Sequence, residues 1–61
     1  MRKLIKSIRE YLELSQTEFA DKIGVTFATV NRWENGRAIP TKLAQSTLYE
    51  YCKEHGVPFI R

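Results

Sequence analysis

A chain of 61 residues with a net charge of +3 and 43% hydrophobic residues is one small domain, and at that size only about 60% of the unfolded surface is buried, so the core must be economical. The charged residues, 28% of the chain, are mixed in sign rather than blocked, which argues against disorder, and no apolar run is long enough for a membrane span or a signal peptide, so a cytoplasmic location is expected. The single Cys52 excludes an internal disulfide, and with one His the chain cannot furnish a structural zinc site, so stability must come from packing.

The pattern along the chain predicts an all-α domain of four helices, with no repeat and no alternating strand pattern. The first covers residues 2–13, where Leu4, Ile5, Ile8 and Leu12 recur at helical spacing and form one apolar stripe. The second, residues 16–23, opens with the capping box Ser15-x-x-Glu18, and Leu14 and Phe19 flank that cap as a hydrophobic staple. Phe19, Ala20 and Ile23 face inward, and Gly24 stands where a helix ends in the left-handed conformation that glycine adopts without penalty.

A third helix, residues 27–35, restarts almost at once with Thr26 as cap, Val25 and Val30 as staple and Gly36 as terminator. Residues 39–41 break the pattern. Thr41 caps a fourth helix, residues 41–55, whose expected inward face is Leu43, Leu48, Tyr51 and Cys52, and Gly56 ends it. The tail, residues 56–61, contains Val57-Pro58-Phe59-Ile60, a candidate dimer contact, a segment packed on its own domain, or the start of a linker.

The third helix carries the functional signal. At about 100° per residue, Val30, Trp33 and Glu34 fall on one side, while Ala28, Asn31, Arg32 and Asn35 fall on the other with Phe27 in the first turn. Small, amide and guanidinium groups on an exposed helix face match base edges in the major groove: Arg pairs with guanine, Asn with adenine, and Ala or Phe meets a thymine methyl. Arg32 is the foremost candidate. Thr26 is first a cap, with phosphate contact as a second role, and Arg37 and Lys42 add basic charge just beyond the helix. Glu34 faces inward and needs compensation, for which Arg9 on the first helix is the expected salt-bridge partner, making Arg9 structural.

The combined pattern I-R-x-x-L-x-L-S-Q-x-E-F-A-x-x-I-G-V-T-x-x-T-V-x-R-W-E-N-G-R-x-x-P resembles the phage lambda repressor-like helix-turn-helix regulators, also called the xenobiotic-response-element family. The resemblance implies a compact domain of four to five helices that binds double-stranded operator DNA, usually as a homodimer on a palindromic site, with the third helix as recognition helix. It also implies phosphate contacts for Gln16, Asn35 and Arg37, and groove-facing roles for Thr26, Phe27, Ala28 and Arg32. Family members often carry glutamines where Phe27 and Ala28 stand here, so base preference does not transfer. Beyond Pro40 many members have two short helices, whereas this chain reads as one longer helix.

The expected function is sequence-specific DNA binding by a repressor-type transcriptional regulator. The alternatives are the recognition domain of a larger DNA-processing enzyme and an antitoxin or adaptor module that binds protein through Phe27. No catalytic, cofactor-binding or metal-binding residues, membrane contact or small-molecule ligand are expected from one His, one Cys and no phosphate-cradling glycine loop.

Overall fold

The computed structural model describes residues 2–58. These form α1 (Arg2–Tyr11), α2 (Gln16–Ile23), α3 (Phe27–Glu34) and α4 (Lys42–Glu54), with no strand among the described residues. The three later helices start by one device, a hydroxyl accepting from the backbone amide three residues on: Ser15 from Glu18, Thr26 from Thr29 and Thr41 from Ala44. Each such cap satisfies one of the orphan amides of a helix start and stabilises by about 1 kcal/mol.

The core gathers Ile5 and Ile8 of α1, Phe19 and Ala20 of α2, Val30 and Trp33 of α3, and Leu48 and Cys52 of α4. Phe19 is fully buried at the centre, and burial of that kind contributes about 1.5–3 kcal/mol relative to an exposed ring. Ala20 is buried in the core on α2, which packs on both α3 and α4, and a larger side chain there would push the packed elements apart.

Two places differ from the sequence-based expectation. The first helix stops at Tyr11, and the chain then turns through Glu13 at φ 57°. The amide of Leu14 donates to the Arg9 carbonyl at 3.1 Å, and that of Glu13 to the Glu10 carbonyl at 3.0 Å. This is a glycine-type helix ending built on a glutamate, and it brings Leu14 into place before the Ser15 cap. A non-glycine residue carries no sequence signal for such an ending.

On α4, Leu43 is 79% exposed and does not belong to the inward face. Five residues separate it from Leu48, a rotation of about 140° from that side chain, and Ala44 takes the inward position instead, packed against the core. Of the readings open for the tail, Val57 follows the one packed on its own domain: it is buried, with its amide donating to the Cys52 carbonyl at 3.0 Å, and it is not an exposed dimer contact. Phe59 and Ile60 of the expected tail contact lie outside the described residues.

Candidate nucleic-acid interface

Only Gly24, Val25 and Thr26 separate α2 from α3. Gly24 takes φ 84°, and both its amide and that of Val25 donate to the Ala20 carbonyl, at 2.8 and 3.0 Å. That tight reversal orients α3 across α2. At the far end of α3, Gly36 at φ 73° allows its own amide to reach the Trp33 carbonyl at 3.2 Å and the Arg37 amide to reach the Arg32 carbonyl at 2.9 Å. Both ends of α3 are therefore fixed by backbone hydrogen bonds.

The angle between the helices is secured by charge. Arg9 grips Glu34 through two parallel bonds, Nε to Oε2 at 2.7 Å and Nη2 to Oε1 at 3.0 Å. The side chains of Arg9 and Glu34 are only 16% and 5% exposed. A third donor of the same guanidinium, Nη1, bonds the Leu14 carbonyl at 2.9 Å, so one side chain joins α1, the α1–α2 link and α3. Burial works to raise the Glu34 carboxyl, but the hydrogen bonds from Arg9 and Gln16, with the charges of Arg9 and Lys6, outweigh it and hold the carboxyl below its ordinary range. The hydrogen bond to Glu34 raises Arg9 in turn, against the opposing effect of burial.

Polar contact does not stop at that ion pair. Gln16 Nε2 donates to Glu34 Oε1 at 3.1 Å, Asn31 Nδ2 donates to Gln16 Oε1 at 3.2 Å, and Asn35 Nδ2 donates to Asn31 Oδ1 at 3.0 Å. Three of the sequence-predicted site residues, Gln16, Asn31 and Asn35, thus form one chain that runs from the buried carboxylate to the exposed end of α3. The Asn31–Asn35 step is an i, i+4 pair that helical spacing allows; the Gln16 step depends on the interhelical angle and has no local signal.

The remaining candidates divide by position. Phe27 is 50% exposed at the first turn of α3, Ala28 and Arg32 are exposed on the same helix, and Asn35 is exposed as its C-cap. Thr26 keeps its hydroxyl on Thr29, accepting from the amide at 3.2 Å and lying 2.9 Å from the Thr29 hydroxyl. Arg37 is exposed in the turn after α3, and Lys42 is exposed on the first turn of α4, outside the amide chain. At the start of α2 the capping box engages the amides of Ser15 and Glu18, so those of Gln16 and Thr17 lie at the helix opening. The Ser15 amide, followed by the Ser15 hydroxyl, lowers the Glu18 carboxyl from its ordinary value.

One cation near this surface was not anticipated as part of it. A Cβ placed on Gly36 would stand 3.3 Å from Cδ and 3.5 Å from Nη1 of Arg2. The Arg2 side chain therefore crosses the end of α3 beside the turn that carries Arg37. Its place at the start of α1, remote in sequence, concealed that proximity.

A family model described as helix-turn-helix matches residues 5–60. The chain belongs to the helix-turn-helix family. Within it the chain is of the lambda repressor-like type, a family of DNA-binding regulatory domains. No curated protein and no solved structure shows significant similarity to the chain. In this helix-turn-helix domain α2 and α3 are the motif, α1 supplies the Arg9 clamp, and a single helix, α4, follows. No described helix is long and apolar enough to cross a membrane.

Proposed function

We propose that this domain is a sequence-specific, repressor-type transcriptional regulator that lays α3 in the major groove of operator DNA. The observation that supports it most is the division of α3 into a fixed side, Val30, Trp33 and Glu34, and an outward side with Phe27, Ala28 and Arg32. Arg32 reads a guanine through its two-donor fork, and Phe27 and Ala28 supply apolar contacts of the kind that suits thymine methyl groups. The open amides of α2, with Arg37 and Lys42, hold backbone phosphates and set the register of the helix. Thr26 holds the first turn and lies beside the backbone.

Eight residues of α3 span only a few base pairs. Useful specificity therefore calls for two copies on a palindromic site, with half-sites about 34–36 Å apart, one turn of duplex.

Selection of bound sequences from a random duplex pool tests this directly, with a palindromic consensus as the expected result. Against that consensus, Arg32→Ala loses about 1–3 kcal/mol and relaxes preference at one base pair, whereas Lys42→Ala weakens all sequences alike and flattens the salt dependence. Equal losses on consensus and random DNA for Arg32→Ala would remove its base-reading role. Absence of any salt-dependent binding would instead favour a protein partner seated on the half-exposed Phe27.

A further inference from the structure

We propose that Asn31 is a positioning residue for the DNA backbone and not a reader of a base: it fixes the Gln16 amide so that the chain Gln16, Asn31 and Asn35 turns N–H donors outward to phosphate oxygens. The inference rests on the DNA-binding reading above and departs from what the position of Asn31 on the outward side of α3 alone suggests.

Direction in the chain comes from its buried end. An ionised carboxylate only accepts, and Glu34 is held ionised by Arg9. Gln16 must therefore present Nε2 to Glu34, which leaves Oε1 facing Asn31. Asn31 must answer with Nδ2, which leaves Oδ1 facing Asn35, and Asn35 answers with Nδ2 in its turn. Each of the three amides is thus polarised the same way, and none can flip without placing two donors or two acceptors against each other.

Reading adenine requires one amide to donate to N7 and accept from N6 in a single plane. The Asn31 amide is engaged at both ends, by Gln16 on α2 and Asn35 one turn along α3, so its plane is set by the protein. Each amide has two N–H groups and spends one in the chain. Gln16, Asn31 and Asn35 each keep one unspent donor, and phosphate oxygens, which only accept, are the matching ligand. The exposed Arg37 beyond Asn35 adds charge of the matching sign.

A double-mutant cycle on DNA affinity, with sequence selection repeated for each variant, tests the assignment. Asn31→Ala should weaken consensus and random duplexes alike, by about fivefold, the size of one lost hydrogen bond, and leave the selected consensus unchanged. In a Gln16→Ala background the same substitution should cost less than it does alone, because the part of its effect that passes through Gln16 is already gone. A consensus altered at one base pair by Asn31→Ala, or losses that multiply in the double variant, would overturn the proposal while leaving DNA recognition intact. Failure of the unsubstituted protein to enrich any sequence would remove both together. In the DNA-free protein, proton NMR of the Gln16 and Asn31 side-chain amides should show shifted, slowly exchanging signals, and random-coil values would overturn the chain without reference to any variant.

Discussion

The α2–α3 pair and α4 begin with the same kind of hydroxyl cap yet are held in the fold by different means. In the pair, apolar burial at Phe19, Ala20, Val30 and Trp33 is accompanied by directional bonds that run from Arg9 through Glu34 and Gln16 to Asn31. Helix α4 is anchored by Leu48 and Cys52, with Val57 following, and its first turn leaves Leu43 in solvent. Apolar area suffices to keep a helix on a core. Holding a recognition helix at one angle requires groups whose geometry fails if the angle changes, and the ion pair is such a group.

Breaking that group gives the largest expected effect. Arg9→Ala leaves the Glu34 carboxylate nearly buried with Gln16 as its remaining donor, at a cost of about 3–5 kcal/mol for full burial and toward the lower end for a pair that keeps some solvent. A domain of this size rarely has more than about 3–5 kcal/mol in total, so urea denaturation should find the variant largely unfolded. The same pair predicts the acid limb of stability. Because the folded-state Glu34 carboxyl lies below its unfolded value, its contribution is fully present above the unfolded pKa and is lost as pH falls through the folded one. Stability should therefore decline below about pH 4.3, the ordinary glutamate value, and Glu34→Gln should remove that part of the decline.

Leu48→Ala should cost about 2–4 kcal/mol through a cavity under α4, measured in the same urea titration. Its consequence for function should differ from that of Arg9→Ala. With enough stabilising osmolyte to refold both variants, the Leu48 variant should keep its DNA preference, since the bonds that hold Glu34 come from Arg9 and Gln16 and none from α4, while the Arg9 variant should lose discrimination. Equal losses of discrimination would erase the distinction between the two regions. Burial pushes the Cys52 thiol up and leaves it without solvent contact, so thiol labelling should report α4 release directly.

The motif was legible because its local signals agree with its tertiary role. The Ser15 and Thr26 caps, Gly24 and the alternation of Val30 and Trp33 with Phe27 and Arg32 each state the same arrangement in neighbouring residues. The Arg9–Glu34 pair followed from one charge facing inward and needing an opposite. What escaped notice depends on angles between helices: the Gln16–Asn31 bond, the path of Arg2 over Gly36, and the direction imposed on the amides. Leu43 is hidden for a simpler reason: its apolar residue type suggests the inward face although its phase matches Leu48 poorly.

Glu13 offers a smaller test. Its left-handed conformation costs a residue with a Cβ about 1–2 kcal/mol, part of which glycine returns as unfolded-chain entropy. Glu13→Gly should accordingly raise stability by about 0.5–1 kcal/mol in urea titration, without touching the Arg9 contacts. A loss would mean that the Glu13 side chain contributes more than its backbone strain takes away.

The smallest effect belongs to Leu43, and it is informative because a leucine in a small core would be costly to lose. Here the side chain is 79% exposed, and its carbonyl, which accepts from the Thr47 hydroxyl at 3.1 Å, is indifferent to what the side chain is. Leu43→Ser removes little buried area and lowers helix propensity slightly, so thermal or urea unfolding should move by no more than about 0.5 kcal/mol. The companion change Ala44→Ser tests the phase from the other side: it places a hydroxyl at the position packed against the core and should cost more than Leu43→Ser, despite the smaller change in apolar volume. If Leu43→Ser proved the more damaging of the two, α4 would have to sit rotated about its axis, and its hold on the core would no longer be the loose one that separates it from the α2–α3 pair.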